Sequence, residues 1–114
     1  MSINATIIKA VTPIVSVCVP GIYRPDAGTE APSVWCTFTC TEVPDSFGDG
    51  APEAIRYLGQ LHLYLPDGQS PITLKRRLRR ALLAEDFATG AWEDASDLDG
   101  QHYVLEFEAA DGEV

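Results

Sequence analysis

This sequence predicts an α+β fold with elements in the order α-β-β-α-β-β, and three observations carry the prediction. Apolar and polar residues alternate with period two over Ser33–Thr41 and again over Ala54–Leu65. Leucines recur at helical spacing between Ser70 and Phe87, and clusters of Pro, Gly and Asp separate these periodic segments. Strand pairs with helices between them predict an antiparallel four-stranded sheet carrying both helices on one face, a two-layer sandwich. With 114 residues, 46% of them apolar, the chain has material for one core, so residues 1–114 are expected to form a single domain.

Each element has its own signal. Ser2 is a suitable N-cap for a first helix over about residues 2–12, in which Ile3, Ile7, Ile8 and Val11 share a face and Pro13 ends the run. Pro20, Gly21, Pro25, Gly28 and Pro32 then mark a loop. In the first strand Val34, Cys36, Phe38 and Cys40 fall on one face, with Trp35, Thr37, Thr39 and Thr41 on the other. Pro44, Asp45, Gly48, Asp49 and Gly50 predict a long flexible loop over about residues 42–53. The next strand places Ile55, Tyr57, Leu61, Leu63 and Leu65 on one face and Arg56, Gln60, His62 and Tyr64 on the other, so the two strands form a hairpin.

After the turn at Pro66–Pro71, Ser70 is the expected N-cap of the second helix and Pro71 its first residue, where a missing N–H costs nothing. Leu74, Leu78, Ala81, Leu82 and Glu85 line one face of that helix, which points Lys75, Arg76, Arg79 and Arg80 away from the core. A short strand near Ala91–Ala95 and the Asp97–Gly100 turn lead to a final strand with Tyr103, Leu105 and Phe107 inward.

Charge is segregated along the chain. Five of the eight basic residues are Lys75, Arg76, Arg77, Arg79 and Arg80, and the acids Glu85, Asp86, Glu93, Asp94, Asp97 and Asp99 follow closely. A cationic helix beside an anionic turn, in a chain of net charge -9, suits contact between one copy and the next. The ordinary alternative is that the basic helix is a solvated face. A third reading makes it an adapter surface, with the 74–82 segment binding nucleic acid or an acidic protein, although the acidic balance disfavours phosphate as the main partner. Trp35 and Tyr64, projecting from the sheet face opposite the helices, leave an apolar patch suited to a neighbour's surface.

Several function classes find no support. The most apolar window, Ile3–Val19, is broken by Asn4, Lys9, Thr12, Pro13 and Ser16, short of the about 20 apolar residues a membrane span needs, so no membrane partner is expected. A secretory leader is not expected either, since the first charge, Lys9, sits mid-run. Three cysteines without CxxC spacing predict neither a disulfide framework nor a zinc site, and Cys36 and Cys40 would stand about 13 Å apart along a strand. His62 and His102 invite a metal or acid–base reading, with Glu106 on the His102 strand. They lack an HxxxH helix, a third ligand and a nucleophile with its base, so surface histidines at a subunit contact are the expectation. No glycine pattern forms a phosphate loop. The expectation is therefore no catalytic residue, no cofactor and no metal.

The run YLGQLHLYLPDGQSPITLKRRLRRALLAEDF, followed by EDASDLDGQHYVLEFEAADG, resembles the small tail-completion or tail-terminator proteins of long-tailed phages and prophages. The shared pattern is an aromatic and leucine-rich strand, a Pro/Gly turn, a basic helix, and an acidic Asp-Gly-Gln-His turn into a Glu-Phe-Glu strand, over about residues 33–110. The cysteine-rich first strand and the PDSFGDG segment depart from that pattern. The resemblance implies a non-enzymatic structural protein, folded as a compact α/β sandwich and assembled into a homo-oligomeric ring, commonly a hexamer. Such a ring caps the tail tube and joins it to the head–tail connector, so its partners are the tail-tube and connector proteins, and its location is the host cytoplasm and then the virion tail. The candidate interface residues are Lys75, Arg76, Arg77, Arg79, Arg80, Glu93, Asp94, Asp97, Asp99, Trp35 and Tyr64. No specific nucleic acid is expected as a partner, although DNA passes through such a ring, and acids of the Asp45–Glu53 loop and of the C-terminal segment lining the lumen would repel its phosphates.

Overall fold

In the computed structural model, which describes residues 2–24, 32–48 and 51–111, the chain is α+β with two helices and one five-stranded mixed sheet. The elements are α1 (Ile3–Val11), β1 (Cys18–Pro20), β2 (Trp35–Gly48), β3 (Ala51–Leu65), α2 (Ile72–Ala84), β4 (Ala88–Asp94) and β5 (Gln101–Asp111). The strand order is β1-β2-β3-β5-β4, with β1 parallel to β2 and the other pairs antiparallel.

This corrects the expected four-stranded antiparallel sheet. The fifth strand, β1, is only three residues long, too short to show a period. It is held by backbone bonds from Cys36 N to Val17 O and from Gly21 N to Phe38 O. A second correction concerns residues 42–53, expected as a loop: β2 runs on to Gly48 and β3 begins at Ala51. Pro44, one of the residues that suggested a loop, and Pro52 are tolerated because each sits where its strand has one partner. Pro44 lies beyond the Cys36–Phe38 stretch that β1 covers, and Pro52 lies before Ile55, where pairing with β5 begins. Register shifts between Pro44 and Phe47 absorb the irregularity.

Sheet register sorts side chains onto two faces. The inner rows Cys36–Leu63–Tyr103 and Phe38–Leu61–Leu105 carry the core, joined by Ile7 and Val11 of α1 and Leu78 and Leu82 of α2. Both helices therefore cover the same face, as expected. Phe107 lies beside Gly59 in register, its ring filling the space a side chain would need, and stacks on Phe87 with centroids 5.5 Å apart. Burying side chains such as Leu78 and Leu82 stabilises the fold by roughly 1.5–3 kcal/mol each.

The helix ends show how local chemistry sets the boundaries. Ser2 caps α1, its hydroxyl accepting from Ala5 N at 3.1 Å. Ser70 does not cap α2. Pro71 occupies the cap position with helical backbone angles and makes no side-chain hydrogen bond, since a proline side chain has no polar group. At the other end Phe87 N reaches Leu82 O and Asp86 N reaches Leu83 O, a Schellman closure with Asp86 at φ 64°.

Candidate functional site

The face of the sheet opposite the helices carries a run of stacked rings. The pleat puts Trp35, Tyr64 and His102 in one cross-strand row and Thr37, His62 and Val104 in the next. Trp35 stacks on Tyr64 with centroids 5.1 Å apart, and Tyr64 stacks on His102 at 4.3 Å. Tyr23 meets Trp35 edge-on at 6.0 Å. The row closes on His62, whose Nδ1 lies 2.8 Å from His102 Nε2. Thr37 and Val104, flanking His62 in register, are buried, so this part of the face is tightly filled.

The two imidazoles favour their neutral forms. Burial, and then the charge of His102, hold His62 below its ordinary range. Burial lowers His102 as well, opposed by the negative charges of Asp97 and Asp94. One ring N–H donates to the other ring's lone pair, an arrangement that a second proton would disrupt.

Beside the rings lies a hollow of about 360 Å³ lined by Trp35, Tyr64, His102, Pro66, Asp97 and Asp99. Its shape is fixed by Gln101, whose amide donates to Pro66 O at 2.8 Å and Gln69 O at 2.7 Å and whose carbonyl accepts from Tyr103 Oη at 2.6 Å. Asp97 Oδ1 accepts from Asp99 N at 2.8 Å and Asp94 Oδ1 from Ser96 N at 2.9 Å, so the β4–β5 turn is internally braced. Hydrogen bonds from Ser96 pull the Asp94 carboxyl below its usual range, with Lys75 adding to the effect. Farther along the same face a shallower groove of about 620 Å³ runs past Thr39, Thr41, Gln60, Glu106 and Glu108.

The candidate cations divide into two sets. Arg76 and Arg80 are exposed, as expected, and so is Arg77; none of the three makes an ion pair among the described residues. Lys75 and Arg79, also expected to point outward, instead lie against β4 and β5. Lys75 Nζ sits 4.5 Å from the centre of the Tyr103 ring and 5.9 Å from that of Trp92, while Trp92 Nε1 donates to Lys75 O at 3.2 Å. Arg79 donates to Gly90 O on the edge strand. The reason is reach: the long stems bend back along the helix and place their charged heads on the neighbouring strand. Glu93, Asp94, Asp97 and Asp99 are exposed. The side chains of Asp45–Glu53, proposed for a lumen, lie outside the described residues.

Among the described residues no group of three or more His, Cys, Asp or Glu is placed to hold a metal ion. The cysteines are free. Cys18 and Cys36 face each other across β1 and β2, and burial pushes the Cys18 thiol up to about 12 and Cys36 higher still. Among the described residues no helix is long and apolar enough to cross a membrane. Sequence reasoning placed Trp35 and Tyr64 on the open face but did not join them to His102 or find Gln101. The DGQH run at the start of β5 was the available signal. No protein-family model matches the chain, and no curated protein matches it.

Proposed function

We propose that this protein is a tail-completion or tail-terminator protein of a long-tailed phage or prophage: a non-enzymatic ring, commonly hexameric, that caps the tail tube and joins it to the head–tail connector. One observation carries the reading. Arg76, Arg77 and Arg80, which make no ion pair among the described residues, belong to the helix layer, whereas Asp97 and Asp99 rim a hollow on the opposite, open face of the sheet. Patches of opposite charge on opposite sides of one subunit do not satisfy each other. They suit a heterologous contact in which one patch meets the other patch of the next copy, and such contacts close into rings when the rotation allows. The stacked rings of the open face supply apolar area for the same contact.

Light scattering across a range of protein concentrations, with negative-stain imaging of the largest species, tests this reading. A ring that also retains tail-tube protein in a pull-down is the expected result. A monomer at every concentration that does not bind tail-tube protein overturns it. Binding to nucleic acid that weakens steeply with salt, by about 0.9 log units per log unit of salt for each phosphate neutralised, would replace it with an adapter role for α2.

A further inference from the structure

We infer that the hollow beside Trp35 and Tyr64 receives an arginine side chain from helix α2 of a second copy of this chain. The inference rests on the ring reading and names the contact that would build it. Trp35 and Tyr64 are stacked, half-exposed rings, and Asp97 and Asp99 are exposed carboxylates on the rim of the same hollow of about 360 Å³. Aromatic surface beside carboxylate oxygen is the environment that a guanidinium fits best. Both faces of Tyr64 are taken, by Trp35 and by His102, so the flat, weakly hydrated guanidinium face lies on the outer side of Trp35 while its N–H fork meets the carboxylate. The Asp99 backbone N–H donates to Asp97 Oδ1, which among the described residues leaves Asp97 Oδ2 and the Asp99 carboxylate open to a donor.

The occupant follows from the charge on the chain. Two copies at net charge -9 repel each other, so a stable contact needs a local site of opposite sign. Lys75 and Arg79 are already engaged with β4 and β5, which leaves Arg76, Arg77 and Arg80 as the exposed cations of α2. They sit on the helix layer, across the sheet from the hollow, so a chain does not place them in its own hollow. A second copy, approaching head to tail, does.

The test measures association by light scattering, with circular dichroism confirming that each variant is folded. Trp35→Leu and the pair Asp97→Asn with Asp99→Asn are each expected to weaken association at least tenfold, whereas Trp35→Phe, which keeps a ring, retains most of it. Asp97→Arg with Asp99→Arg should be monomeric alone. It should assemble again when mixed with the Arg76→Glu, Arg77→Glu, Arg80→Glu protein. If the wild type forms a ring and the hollow variants form it equally well, the hollow is not the receptor, although the ring stands. If the hollow variants break a contact that yields dimers and no ring, the receptor stands and the ring reading falls. A wild type that never self-associates overturns the receptor, and the ring reading falls with it when tail-tube protein is not bound either.

Discussion

His62 Nδ1 and His102 Nε2 lie 2.8 Å apart on the open face of the sheet, two imidazoles sharing one hydrogen bond from neighbouring strands. Each has its pKa lowered from 6.5 in the folded protein, chiefly by burial. A group whose folded value is depressed in this way binds protons more readily in the unfolded chain. For a histidine that means the stabilising contribution is complete above the unfolded value of 6.5 and is lost as pH falls from there through the lower folded values. Asp94 and Asp97 soften the effect at His102 without reversing its direction. The midpoint of thermal unfolding is therefore expected to be higher at about pH 7.5 than at about pH 5.5, and His62→Gln should flatten the difference. The titration of Asp94, lowered from 3.8, belongs to a separate window at stronger acid. A midpoint that rises on acidification between those pH values would contradict the paired geometry.

Asp86 ends helix α2 in the left-handed region at φ 64°, where a side chain is strained and glycine is not. Its amide and that of Phe87 close the Schellman motif on Leu83 O and Leu82 O, bonds that depend only on the backbone. Asp86→Gly should keep both bonds, relieve the strain and stabilise the protein by about 0.5–1 kcal/mol, offset in part by the entropy that glycine adds to the unfolded chain. Urea denaturation reads the change as a shift in midpoint at constant slope. A lower midpoint would mean that the Asp86 carboxylate has a role its exposed position does not suggest.

Gly59 is the reverse case. A Cβ there would stand 2.5 Å from Thr39 O and closer still to the Phe107 ring, and the first of these neighbours is backbone in the middle of the sheet. Gly59→Ala should cost about 1–3 kcal/mol by overpacking. Combining it with Phe107→Leu removes the ring clash and should recover part of the loss, whereas simple additivity of the two costs would show that Phe107 does not fill the space of Gly59.

The core was legible in the sequence because its pattern is periodic. Alternation placed Cys36, Phe38, Leu61, Leu63, Leu105 and Phe107 on the inner face, where they are buried, and helical spacing picked out Leu78 and Leu82. Three things were not legible. Strand β1 is three residues long, and its place in the sheet comes from pairing with Cys36–Phe38, a tertiary relation. The extension of the hairpin past residue 42 was hidden because Pro44, with Asp45, Gly48, Asp49 and Gly50, reads as a loop marker unless the absence of a second neighbour is known. The His62–His102 pair depends on the register between β3 and β5, which sets His62 opposite Val104 and His102 opposite Tyr64. Alternation gives the face of each histidine and says nothing of that register.

The basic helix brings these strands of argument together, because its five cations are expected to respond to mutation in two different ways. Lys75 and Arg79 hold the helix to β4 and β5 through a ring contact and a bond to Gly90 O. Lys75→Ala and Arg79→Ala should each lower stability by about 0.5–1.5 kcal/mol, since one removes a cation–π contact and the other a charged donor at a partly exposed strand edge. Arg76 and Arg80 are exposed and make no ion pair among the described residues, so Arg76→Glu with Arg80→Glu should leave the unfolding midpoint nearly unchanged. In association it should do the opposite, replacing attraction to the acidic rim of the next copy with repulsion, and the loss should shrink as salt screens the like charges. Parallel measurements of denaturation and light scattering on the three variants separate the two sets. If the Arg76 and Arg80 reversal destabilises the monomer, or leaves assembly intact at low salt, the outward cations have no interface role.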